Sequence, residues 1–112
     1  MVSEDDVRSV CLALPGTSER LSWSRPAWFA RALFARMWDD TVLTVKTEER
    51  PALLATAPEI FFLHPHHERY EGLVLVRLDP LDPGELSELL AESYRIANGR
   101  RAGQNEPDPV RK

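Results

Sequence analysis

Between Arg20 and Lys46 the chain reads RLSWSRPAWFARALFARMWDDTVLTVK, and this stretch limits the possible folds more than any other. Four segments in it, RLSW, AWFA, LFARMW and TVLTVK, are rich in aromatic and β-branched residues and alternate in places between apolar and polar. Turn pairs are expected at Arg25-Pro26 and Asp39-Asp40. Parallel strands need a crossover of about a dozen residues or more, which these connections cannot supply. The region therefore reads as a run of antiparallel strands. Within it AWFARALFARM predicts a hairpin flanked by Arg31 and Arg36, with Ala32 and Leu33 at its tip.

Helical signals bracket this region. Ser3 and Asp6 have capping-box spacing, and Val7, Val10, Cys11 and Leu14 share one helical stripe, so a first helix is expected over about 4–14, stopped by Pro15 and Gly16. Pro51 suits the first turn of a short helix over about 49–56. EIFFLH and LVLVRL then read as strands, apolar on both faces and hence central or covered. The last helix is the most clearly marked, with Asp82 as N-cap, Pro83 at the first position, Glu85 closing a D-x-x-E box and Gly99 as the stop. Leu86, Leu89, Leu90, Tyr94 and Ala97 form its buried stripe. The order helix, strands, short helix, two strands, helix predicts an α+β fold, an antiparallel sheet with helices packed on one face. Residues 1–99 are expected to form one domain and residues 100–112, polar and holding two prolines, a flexible tail.

Composition narrows the functional classes. With 43% hydrophobic and 29% charged residues the chain matches an ordinary globular domain, with no apolar run long enough for a membrane span. The acidic N-terminus is unlike a signal peptide, so a cytoplasmic setting is expected. Cys11, the single cysteine, lies in step with the first helix's apolar stripe and reads as a core thiol rather than a nucleophile. The absence of a glycine-rich phosphate loop disfavours a nucleotide-binding fold, and no nucleophile elbow, zinc-protease helix or paired-carboxylate motif points to an enzyme. No cofactor is expected.

LALPGTSE near the start, SRPAWF, LFARM, APEIFFLHPHHERYEGLVLVRLD and the closing ELSELLAESYRIAN together resemble the MmcQ/YjbR family over roughly residues 7–98. The resemblance implies a sandwich similar to the CyaY/frataxin type and a "double wing" architecture associated with DNA binding. It implies no catalytic residues. Two positions depart from the family pattern: Ser24 stands where glycine is common, and Leu33 where a basic residue is common.

Two sets of residues are candidate sites. Net charge is −4 overall, but residues 20–50 hold six basic side chains against four acidic ones and are the only positive segment of the expected fold. If DNA is the partner, Arg25, Arg31, Arg36 and Lys46, interleaved with Trp23, Trp28 and Trp38, are the residues expected to meet it. The alternative is that the tryptophans fill the core and the arginines solvate the outer face. The second set is the loop of His64, His66, His67 and Tyr70. Adjacent His66 and His67 diverge and no cysteine is near, so a turn or a loop that binds a small molecule or protein is favoured over a metal site.

Overall fold

The structure is a computed structural model and describes residues 2–70 and 72–99. Its first hairpin joins β1 (Ser18–Ser22) to β2 (Arg25–Phe29) through only two residues, Trp23 and Ser24. Both lie in the left-handed region, at φ 55° and 69°, as the tight turn that matches strand twist requires. The turn therefore falls two residues before the expected Arg25-Pro26 pair. Pro26 sits inside β2 opposite Leu21, and no β3 residue pairs with it on the other side, so its missing N–H costs the ladder nothing there.

The strands continue with β3 (Leu33–Met37) and β4 (Val42–Lys46), followed by α2 (Arg50–Thr56), β5 (Phe61–Phe62) and β6 (Leu73–Arg77). Helices α1 (Glu4–Ala13) and α3 (Pro83–Ala97) begin and end the fold. Among the described residues six strands form one antiparallel sheet in the order β1-β2-β3-β4-β6-β5. The α+β expectation holds. EIFFLH, however, supplies only the two-residue edge strand β5, whereas β6 is central. Both long helices carry complete capping boxes, Ser3 with Asp6 and Asp82 with Glu85. The expected tail, 100–112, lies outside the described residues.

A bulge sorts the sheet's two faces. Ala27 pairs with Arg36 and Trp28 with Ala35, but Phe29 pairs with Leu33, so Phe34 is the extra residue of β3. Phe34 is buried with its ring edge-on to Tyr94 of α3, at 5.7 Å between centroids. Ser93 repairs the interrupted ladder: its fully buried hydroxyl donates to the Phe34 carbonyl and accepts from the Lys46 N–H at 2.8 Å. On this face Ala35, Met37, Leu43, Val45 and Val74 join Leu86 and Leu90 of α3 and Val7 and Cys11 of α1 in one core. Burial pushes the Cys11 thiol up to about 12, consistent with an inert core position.

The opposite face runs through the register Arg20–Ala27–Arg36–Thr44–Leu75–Phe62. The long helices α1 and α3 pack on the other side, with the core. Arg20 covers the Phe29 ring and Arg77 the Phe62 ring, each at 3.9 Å, shielding the two flanks.

Two stability changes should follow. Ser24→Gly, which relieves a left-handed non-glycine residue, should raise unfolding stability by about 0.5–1 kcal/mol in urea titrations. Ser93→Ala should lower it by about 1–3 kcal/mol, because a buried carbonyl and a buried N–H lose their partner together.

Candidate functional site

The histidine loop folds against the open face. His64 caps a 3₁₀ turn, Pro65–His67, its Nδ1 accepting the His66 N–H at 3.1 Å, so its own proton resides on Nε2. The turn reading of this segment holds at the level of backbone structure. Arg50, the first residue of α2, fastens the loop from beneath, donating to the carbonyls of His67, Tyr70 and Leu73 at 3.3, 2.6 and 3.2 Å and to that of Glu68 at 2.9 Å. So held, the loop sets the His67 ring edge-on to Trp38 at 4.8 Å, with His64 on the same indole at 5.2 Å.

Between this loop and the β1–β2 hairpin runs a groove of about 610 Å³. Trp38, His64, His66 and Tyr70 form one side, and Ser22, Trp23, Leu33 and Arg36 the other. Thr44 and His67 lie at its floor, each only 6% exposed. Among the described residues neither the Thr44 hydroxyl nor His67 Nδ1 finds a hydrogen-bond partner. Large apolar side chains at the rim stay in contact with solvent, Trp23 at 87% and Tyr70 at 45% exposure. Volume, aromatic walls and a few inward polar atoms are the usual attributes of a small-molecule site.

Among the described residues, no three His, Cys, Asp or Glu side chains stand together as a metal ion would require. His66 and His67 meet edge to face, their planes 86° apart.

The family model of YjbR matches residues 12–96, from the last two residues of α1 to the last turn of α3. The chain belongs to the YjbR family. No curated protein was found to match it.

In this YjbR-family chain the four basic residues singled out in the sequence differ in their surroundings. Arg25 is paired with Asp40 at 2.7 Å. Arg31 sits in the β2–β3 turn, where its backbone N–H donates to Asn98 Oδ1 at 3.3 Å and its guanidinium to the Asn98 carbonyl at 3.0 Å, closing the C-terminal end of α3. The hairpin tip thus holds Arg31, while Leu33 is already in the strand. Lys46 is half-buried, and desolvation lowers its pKa. Arg36 alone of the four enters the groove, where its Nε donates to the Ser22 carbonyl at 2.9 Å.

The tryptophans also divide. Trp28 is fully buried, with its indole N–H on Glu19 at 3.0 Å, whereas Trp23 and Trp38 line the groove. The core reading of the tryptophans fits Trp28 only. Arg50 was not singled out in the sequence, although it carries a signal: a cation at a helix N-terminus opposes the helix dipole and needs another reason to be there. Thr44 was concealed by the strand pattern TVLTVK.

His67 links the site to pH. Desolvation lowers its pKa, and the nearby charges of His66, His64, Arg36 and Arg50 act in the same direction. The unfolded chain takes up the proton near the ordinary value of 6.5, the folded one only at lower pH. Stability is therefore full above that value and declines as pH falls below it. Melting temperatures taken at about pH 7.5 and about pH 5 should fall further for the wild type than for His67→Gln.

Proposed function

We propose that this protein is a non-enzymatic binding module that takes a small ligand into the groove floored by Thr44 and His67. The observation that carries the reading is the pairing of two buried, unpartnered polar atoms with exposed aromatic walls. Each unpaired buried group costs about 1–3 kcal/mol, the kind of local cost that sites of function carry. Trp23 supports it, since the chain keeps a bulky side chain both exposed and at positive φ, a conformation worth about 1–2 kcal/mol of strain.

Binding is favoured over catalysis by the chemistry of the groove. The Thr44 hydroxyl and the His67 imidazole are not hydrogen-bonded to each other, so no base activates the hydroxyl. The thiol of Cys11 is sealed in the core on the other side of the sheet. Duplex DNA contact through Arg25, Arg31, Arg36 and Lys46 has weaker support, because Arg25 and Arg31 already serve protein partners and Lys46 is half-buried.

The reading is tested with N-phenyl-1-naphthylamine, a neutral dye that brightens in apolar sites, alongside a fluorescein-labelled mixed-sequence duplex. The dye should bind at one site, weaken at least several-fold in Trp38→Ala and Trp23→Ala, and hold its affinity at about 0.5 M salt. The duplex should give a flat anisotropy titration at about 50 mM salt. Dye binding indifferent to both tryptophan substitutions would overturn the groove reading. Salt-sensitive duplex binding lost in Arg25→Glu or Lys46→Glu would replace it with the DNA reading.

A further inference from the structure

Among the described residues no aspartate or glutamate lines the groove, and Arg36 is the one lysine or arginine that does. Arg36 is oriented by its neighbours rather than neutralised by them. Its Nε donates to the Ser22 carbonyl at 2.9 Å and one terminal nitrogen approaches the Trp23 carbonyl at 3.5 Å, both neutral acceptors of the β1–β2 hairpin. Among the described residues it makes no salt bridge, although Arg25 on the adjacent strand β2 is paired with Asp40. Its remaining terminal nitrogen has no acceptor among the described residues. A half-buried guanidinium with fixed orientation and no counter-charge is suited to a carboxylate, which meets its fork with paired hydrogen bonds.

From this geometry we infer that the ligand is a planar aromatic monocarboxylate, its ring held between Trp23, Trp38 and Tyr70 and its carboxylate on Arg36. The inference rests on the groove being the binding site. The ring plane follows from the walls, since flat aromatic surfaces reward stacking and edge contacts. The single negative charge follows from Arg36, the one groove cation without a counter-charge among the described residues, because a phosphate monoester carries about −1.5 to −2 at neutral pH and would bring excess charge into an apolar groove. Local electrostatics agree: burial and the charge of Arg25 both push the Arg36 pKa down, and the charge of Arg36 helps push down that of His67, as expected where positive charge lacks a partner.

Titration calorimetry with 1-naphthoate, its neutral analogue 1-naphthamide and 1-naphthyl phosphate tests the inference on the wild-type protein. Naphthoate should bind at one site and at least about tenfold tighter than either of the others. Arg36→Gln should remove the preference for naphthoate over naphthamide, and Arg36→Lys should retain part of it. Equal binding of naphthoate and naphthamide by the wild type would overturn the anion inference while leaving the groove as a binding site. Phosphate binding tighter than carboxylate would overturn the monoanion. If none of the three binds and the neutral dye also fails, the groove reading falls and takes this inference with it. The wild-type comparison does not depend on any variant folding.

Discussion

The hydroxyl of Ser93 holds together the point on which both faces of the sheet depend. At the bulge one residue too many enters β3, and an interrupted ladder would leave the Phe34 carbonyl and the Lys46 N–H buried without partners. Ser93 of α3 meets both. The helix is thereby pinned across β3 and β4, and the bulge becomes stable enough to do two things. Phe34 joins Ala35 on the helix side, where it meets Tyr94, while Leu33 and Arg36 turn to the open face. With regular alternation, Phe34 would share a face with Arg36. Core and groove are therefore consequences of one irregularity.

The groove further depends on two devices that act from opposite sides. The β1–β2 hairpin presents Trp23 from a left-handed two-residue turn, and Arg36 ties itself to that turn through Ser22 and Trp23. Across from it, Arg50 gathers the carbonyls of the histidine loop and places His67 against Trp38. The two arginines differ in consequence. Arg50 is spent on shape, surrounded by loop carbonyls. Arg36 orients with two carbonyls and keeps donors over, so it can both position a hairpin and meet a ligand.

Electrostatics also explain why overall acidity says little about the site. The chain is negative in total, yet Asp40 is engaged with Arg25 and Asp39 with the Thr41 N–H at 2.9 Å. Glu19, Glu4 and Asp5 surround Arg8 on the helix side, where Glu19 also accepts from Trp28. The Arg8 guanidinium holds the Glu19 carboxyl below the usual carboxylate range, opposed by burial and aided by Trp28. Among the described residues the groove keeps one arginine or lysine, Arg36, among aromatic rings.

The sequence by itself determined the elements whose signals are local. Caps and stops set α1 and α3 close to their expected bounds, short connections made the sheet antiparallel, and the proline in the first turn of α2 was legible. Even Ser93 was recoverable in part, since it falls in helical step with Leu86, Leu90 and Ala97, although its hydroxyl argued for solvent. Tertiary structure alone decided the site. Whether a tryptophan fills the core or walls a groove depends on which face a bulge turns it to, and the bulge has no signature in LFARM. Whether an arginine is free depends on what folding brings near it: Asp40 for Arg25, Asn98 for Arg31, loop carbonyls for Arg50, and only neutral hairpin carbonyls for Arg36. Periodicity along the chain reports neighbours within one element, whereas charge pairing and burial are set between elements, and those distances exist only once the sheet has closed against its helices.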